Sequence, residues 1–305
     1  MRILISGSTG FLGTALIGAL AGEGHAVARL VRPGTARRNA AGDRAQIVAW
    51  DPAGNQFDAA AAEGADALLH LAGASIADGR WNAARKDLLR TSRIDATRHL
   101  IGALAKLQRP PRVIVAASAI GFYGDRGDEA LTETSAPGND FLAGLCREWE
   151  AEAARGADFG ARVVSLRFGI ILAAHGGALP RMALPFKLGA GGRLGNGLQW
   201  MSWLTLPEVV HIVQFALATP QLTGPVNAVT PNPVRNAEFT RVLARTLHRP
   251  AIFPAPAFAL RLALGEMADA LLLASQNVMP SRLADAGYHF LRTDLAEALA
   301  DAFRK

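Results

Sequence analysis

The sequence predicts an α/β fold, a doubly wound parallel sheet followed by a smaller, mostly helical region. Three observations carry that expectation. Short apolar or β-branched runs alternate with longer helical stretches through the first two-thirds of the chain, at the spacing of a parallel sheet covered on both faces. A glycine-rich turn follows the first run directly and opens an amphipathic helix. After Gly169 the alternation gives way to clustered glycines and prolines and then to a leucine-rich tail. The chain has 305 residues, 50% of them apolar, which is ample for a large core and excludes disorder or a small disulfide scaffold.

The candidate strands, in order, are Arg2–Ser6, Ala26–Val31, Gln46–Trp50, Ala67–Leu71, Arg112–Ala117 and Arg162–Phe168. Most are continuous apolar runs, as strands buried on both faces require. Helices are expected over Asn82–Leu107 and Asp140–Arg155. Gly176-Gly177, Gly189-Ala190-Gly191-Gly192 and Gly195-Asn196-Gly197 mark loops, as do Pro180, Pro185 and Pro207. A helix then runs from Pro207 to about Ala218, and after the turn-rich Thr230-Pro231-Asn232-Pro233 another spans Asn236 to Leu247, with Asn236 as N-cap. From Pro254 onward a leucine-rich helical appendage closes the chain.

Composition removes several functions. The net charge of +6 comes from arginines spread along the chain, with Arg37-Arg38 the one adjacent pair, so a nucleic-acid surface is not expected. The lone Cys146 forms no internal disulfide and has no metal-ligand spacing around it. No apolar run reaches the roughly 18 residues of a membrane span. A strand-like run from residue 3 leaves no room for a leader, so a soluble cytoplasmic protein is expected.

The strongest motif is Gly7-Ser8-Thr9-Gly10-Phe11-Leu12-Gly13. Gly7 permits the tight turn, Gly10 lets backbone approach a pyrophosphate, and Gly13 lets helix and strand pack closely, while the helix N-terminus offers unpaired N–H groups to the anion. Strand, loop and helix in this order read as a Rossmann-type dinucleotide site rather than a mere tight turn. An NAD site has an acidic residue about twenty positions beyond the loop, accepting from the ribose hydroxyls, whereas a 2′-phosphate needs a cation there. Here the second strand ends Leu30-Val31-Arg32, with no Asp or Glu between Glu23 and Asp43. Arg32, assisted by Arg37 and Arg38, is placed for that phosphate, and NADP(H) is the expected cofactor.

The glycine loop, His70-Leu71-Ala72-Gly73-Ala74, Ser118-Ala119-Ile120-Gly121-Phe122-Tyr123-Gly124 and Leu166-Arg167-Phe168-Gly169-Ile170-Ile171-Leu172 together resemble the extended short-chain dehydrogenase/reductase superfamily. Gly189–Leu206, with Gln199-Trp200-Met201-Ser202-Trp203, and the tail Leu264-Gly265-Glu266-Met267 resemble an atypical bacterial group within it, the NAD-dependent epimerase/dehydratase family proteins whose C-terminal domain has no assigned function. The resemblance implies that residues 1–169, with 202–230 returning to them, bind the cofactor, and that 170–201 and 231–305 form the substrate side. It places Gly7–Gly13 on the pyrophosphate, Arg32 on the adenosine end and Asp51 near the adenine. Leu71, Ala72 and Gly73 then form the wall beneath the nicotinamide ribose, with Ala117 and Ser118 beside the nicotinamide and Arg167, Phe168, Gly169 and Ile170 on its far side. It also implies a homodimer through Asn82–Leu107 and Asp140–Arg155.

The superfamily's chemistry uses a Tyr-x-x-x-Lys pair on the helix after the fifth strand, the tyrosine exchanging a proton with the substrate as hydride moves. This chain has Lys86, Lys106, Lys187 and Lys305, so neither tyrosine has a lysine four residues on: Gly127 follows Tyr123 and Arg292 follows Tyr288. The helix reads Asp140-Phe141-Leu142-Ala143-Gly144-Leu145-Cys146-Arg147-Glu148-Trp149-Glu150, apolar where the pair belongs. The Ser/Thr slot falls on Ala119, and a one-residue gap restores Ser118. The helix asparagine matches Arg93, which shares a stripe with Leu89, Ala96 and Leu100 and points inward. A buried guanidinium needs a partner, either a carboxylate or an anionic group of cofactor or substrate. For Arg167, in a central strand, a structural ion pair is expected.

Candidate catalytic residues are then Ser118 and Tyr123, at the C-terminal end of the fifth strand where open sheets place ligands. Tyr123 is a replacement proton donor or, as a loop tyrosine beside Phe122, a packing aromatic. Asp125-Arg126-Gly127-Asp128-Glu129 and Glu133 read as a solvated loop, and Trp200 and Trp203 as substrate walls or core. The expected function is an NADP(H)-dependent oxidoreductase acting on an unknown small molecule through a non-standard relay. The alternatives are a non-catalytic sensor of the nicotinamide cofactor and, weakest, a nucleotide-sugar epimerase, which needs the missing base.

Overall fold

The computed structural model describes residues 1–34 and 45–304. Arg37 and Arg38, expected beside Arg32, lie outside the described residues. Seven strands form one parallel sheet: β1 (Arg2–Ser6), β2 (Ala26–Val31), β3 (Gln46–Ala49), β4 (Ala67–His70), β5 (Val113–Ala119), β6 (Arg162–Phe168) and β7 (Gly224–Ala228), in the order β7-β6-β5-β4-β1-β2-β3. The order reverses between β1 and β4, which opens a crevice at their C-terminal ends.

The principal helices are α1 (Phe11–Gly22), α2 (Ala83–Arg90), α3 (Ala96–Leu104), α4 (Phe141–Ala154), α5 (Leu179–Lys187), α6 (Leu206–Ala218), α7 (Asn236–Leu247), α8 (Ala257–Leu264) and α9 (Leu295–Phe303). One π-helical turn, Thr91–Asp95, joins α2 to α3. Ile3, Ile5, Val115 and Leu166 pack on one sheet face with Leu16 of α1 and Ile212 of α6. Leu4, Leu68 and Ile114 pack on the other with Leu100 of α3 and Ala153 of α4. The two periodicities of strand and helix thus meet on both faces, as continuous apolar strands require. A separate core in the second half joins Phe186, Trp203, Phe239, Leu243 and Leu299. No described helix is long and apolar enough to cross a membrane.

The departures from the expected elements have local causes. β4 stops at His70 because the N–H groups of Leu71 and Ala72 turn onto Ser6 Oγ, at 3.1 and 3.3 Å. β5 extends to Ala119, paired with Phe168. β7 is not among the expected strands, since Gly224-Pro225 opens it; proline is tolerated because this is the edge of the sheet. Asn236 is not the N-cap of α7: Arg235 holds that place, and Asn236 Oδ1 accepts from Leu194 N at 2.8 Å.

Candidate functional site

The glycine loop has the geometry a phosphate cradle needs. Gly7 has φ +68°, and a Cβ there would stand 2.8 Å from the Leu71 carbonyl carbon; a Cβ on Gly13 would stand 2.3 Å from Gly7 O. Both positions exclude any side chain. Gly10 caps α1 with no side-chain hydrogen bond, and the first turn carries no acidic residue. By contrast, Asn82, Asp140, Thr205 and Asp294 each cap their helices through a side-chain oxygen. The N–H groups at the start of α1 are therefore turned to the crevice without a carboxylate to compete for them. Ser8 is buried and Thr9 exposed, while Leu12 packs against the core and Phe11 lies against Gly176 and Gly177 of a loop that follows β6.

Immediately past β2 Arg32 is exposed, and among the groups that lower the Asp51 pKa its charge is the smallest contributor. The larger causes of that lowering are hydrogen bonds to Asp51 from Ala53 N, at 3.0 Å, and Asn55 Nδ2, at 2.8 Å. Sequence reasoning missed Arg29. It is buried on β2 and donates Nε to Ser8 Oγ at 3.3 Å, which sets a guanidinium behind the loop. Its position inside an apolar run was the available signal.

A hydrogen-bonded chain fixes the neighbouring wall. Ser6 Oγ accepts from Leu71 N and Ala72 N, so its proton goes to His70 Nδ1, 2.7 Å away. His70 Nε2 then donates to Thr97 Oγ1 at 2.8 Å, and the threonine hydroxyl donates to Arg93 O. His70 is fully buried, and burial lowers its pKa to about 4, so it remains neutral.

Arg93 sits inside the π-helical turn, a distortion frequent at functional sites. It donates Nη2 to Ala74 O at 2.9 Å, its guanidinium lies 5.2 Å from the Trp149 ring centroid, and it stands directly against Gly73. No carboxylate pairs with it among the described residues, and burial lowers its pKa. Of the two partners expected for this cation, the structural carboxylate is thus not the one found.

Arg167 resolves the other way. Its guanidinium grips Glu150 through Nε–Oε1 at 2.8 Å and Nη2–Oε2 at 2.7 Å, and stacks 3.4 Å from the Phe122 centroid. The expected structural ion pair is present, and a direct contact of Arg167 with cofactor is not available to these N–H groups. Ser118 Oγ donates to Glu150 Oε1 at 2.6 Å. Tyr123, fully buried, accepts from Arg167 Nη1 at 2.9 Å and donates to Asn227 Oδ1 at 2.7 Å. Burial raises its pKa despite the nearby guanidinium. Ser118 and Tyr123, the candidate catalysts, thus belong to one internal polar network with Glu150, Arg167 and Asn227. The need of Arg167 for a carboxylate was legible; the choice of Glu150 over Glu148 or Glu152 was not, since all three lie on α4.

Tyr288 is equally engaged, its hydroxyl donating to the buried Glu208, and burial followed by that bond raises its pKa. Burial raises the Cys146 thiol to about 12. Trp203 is core, with Nε1 donating to Asn232 O at 3.0 Å, and Trp200 stacks on Arg235. The expected solvated loop instead binds the tail: Asp125 Oδ1 accepts from Ser275 N, and Ala130–Leu131 pair with Asn277–Val278. Around the crevice, Leu71, Ala72, Gly73, Ala117, Gly169 and Ile170 are half-buried or exposed, while Phe168 is buried. A Cβ on Gly169 would stand 2.6 Å from Ser202 O, so Gly169 is kept for a close backbone approach.

Residues 3–229 match the NAD dependent epimerase/dehydratase family, and residues 255–302 match a domain of unknown function, DUF1731. The epimerase family protein Mb2239 of Mycobacterium bovis is 41% identical over 98% of this chain and 97% of its own. A crystal structure of human epimerase family protein SDR39U1 with NADPH superposes with a TM-score of 0.88, at 31% identity over 99% of both chains. A nucleoside-diphosphate sugar epimerase from Corynebacterium glutamicum gives 0.78 at 36% identity, over 98% of this chain and 57% of that one. Fold, glycine cradle and full-length similarity agree: the chain belongs to the NAD dependent epimerase/dehydratase family.

Proposed function

We propose that this protein binds NADPH and is an oxidoreductase for a small molecule, working without the Tyr-x-x-x-Lys pair. The observation that carries the proposal is the cradle, in which Gly7 and Gly13 admit no side chain and α1 begins without a capping carboxylate. The NADPH in the structure of the human relative supports it. Gly7, Ser8, Thr9, Gly10, Phe11, Leu12 and Gly13 would hold the pyrophosphate through backbone, and Arg32, with Arg29 behind the loop, the adenosine 2′-phosphate. Leu71–Gly73, Ala117 and Phe168–Ile170 would wall the nicotinamide side. When bound, the cofactor supplies hydride. Arg93, without a carboxylate, would present its N–H groups to an anionic or carbonyl oxygen of the substrate.

A fluorescence titration with NADPH and NADH tests the cofactor, NADPH being expected to bind at least tenfold tighter. Arg32→Glu should reverse that preference, and tighter NADH binding by the unaltered protein would sink the reading. A second reading, a cofactor sensor without turnover, is favoured by the engagement of both tyrosine hydroxyls. NADPH binding with no oxidation across a panel of carbonyl compounds would select it. Epimerisation is the least supported reading, since no tyrosine is placed to serve as its base.

A further inference from the structure

The substrate side holds a cavity of about 390 Å³ that is partly open to solvent. Its walls come from separate parts of the chain: Met182 and Phe186 of α5, Phe239 and Leu243 of α7, and Leu260 and Leu264 of α8. The last two belong to the domain of unknown function, which supplies the roof. Ala77 closes another side, on a segment that Arg181 fastens by donating to Ala77 O and Asp78 Oδ1, each at 2.7 Å. Arg181 is the one charged residue in the lining.

An apolar pocket of this size offers a hydrophobic body a surface out of water. Asn236 offers a ligand little, because its oxygen holds Leu194 N and its Nδ2 faces Met201 Sδ at 3.3 Å. Thr240 differs: it is 7% exposed, stands between this cavity and a second pocket lined by Ala237, Arg241 and Ala244, and its hydroxyl has no hydrogen bond among the described residues. A large apolar body with one polar handle is the usual character of a small-molecule site. A nucleoside diphosphate finds no cation here besides Arg181, whose guanidinium is held by Asp78.

We propose that this cavity binds an aliphatic or carbocyclic compound, with Thr240 hydrogen-bonding its single polar group. An apolar cavity of about 150 Å³ takes benzene, which scales this one to roughly fifteen carbon atoms. That the compound is the substrate rests on the oxidoreductase reading; that the cavity binds it does not. The domain of unknown function is then the cover of the apolar site.

The test is calorimetric titration of the full chain with 1-decanol and with the less polar decane. One site is expected, with Ala77→Phe and Met182→Trp each weakening 1-decanol at least tenfold by filling the space. Thr240→Val should weaken 1-decanol several-fold and leave decane unchanged, and it keeps the proposal testable where a filling variant unfolds. Phe258→Ser and Leu262→Ser, on the exposed face of α8, should change nothing. No binding of 1-decanol, binding lost only in the α8 variants, or equal affinity in Thr240→Val overturns the proposal. NADPH titration of the same preparations reports the cofactor reading separately, so either can fail alone.

Discussion

His70 makes the stability of this protein depend on pH in a way that can be isolated. The imidazole is fully buried between Ser6 and Thr97, and both bonds use the neutral ring. Folding therefore lowers its pKa from 6.5 to about 4. A depressed histidine pKa means that the unfolded chain binds a proton that the folded one refuses. The stability tied to the neutral ring is fully present above pH 6.5 and is lost as pH falls toward 4. Each tenfold change in proton affinity is worth about 1.4 kcal/mol, so the full loss is about 3 kcal/mol. Urea unfolding of the protein and of His70→Gln at matched pH values between 8 and 4.5 measures it, because the other titrating groups cancel in the difference. His70→Gln starts less stable at pH 8, and the gap should narrow by about 1.4 kcal/mol for each step of one in pH below 6.5. Two curves that stay parallel from pH 7 to pH 5 refute the buried neutral ring. The consequence extends to the crevice, because the same chain of bonds holds Leu71 and Ala72 beside Gly7.

Further outcomes follow from the cradle and from the buried groups behind it. Gly13→Ala, whose Cβ would meet Gly7 O at 2.3 Å, should lower NADPH affinity at least tenfold in a fluorescence titration, and unchanged affinity would remove the cradle from the binding reaction. Tyr123→Phe deletes the hydroxyl between Arg167 and Asn227 and should cost about 1–3 kcal/mol of unfolding free energy. Whatever turnover is established for the protein should survive Tyr123→Phe, and loss of turnover in a folded variant restores tyrosine to the mechanism. Glu150→Gln strands the Arg167 charge and should cost about 3–5 kcal/mol in the same assay, a loss under 1 kcal/mol showing that the pair is not needed. Cys146, buried and with its pKa near 12, should react with a thiol-specific disulfide reagent at pH 8 only as fast as the chain unfolds.

The two tyrosines show how local information and tertiary information divide. Their spacing from lysine, read along the chain, already removes the usual proton relay. Where the hydroxyls point is decided elsewhere: Tyr123 meets Asn227 on an edge strand opened by Gly224-Pro225, and Tyr288 meets Glu208 on α6. Neither partner has a periodic signature, because a single side-chain hydrogen bond across such separations imposes no pattern on its neighbours.

By itself the sequence determined what depends on short stretches of chain. Six of the seven sheet strands follow from apolar runs, the phosphate cradle from the spacing of Gly7, Gly10 and Gly13, and the expected 2′-phosphate from Arg32 and the missing carboxylate. These are requirements on backbone conformation, burial and charge at single positions, so residue identity reports them directly. The tertiary structure alone decided that Glu150 serves Arg167, that Arg93 stays without a carboxylate among the described residues, and that α5, α7, α8 and the segment after β4 line one apolar cavity. Each of those depends on which surfaces meet when distant segments close together, and that choice is made by packing the whole chain rather than by any stretch of it.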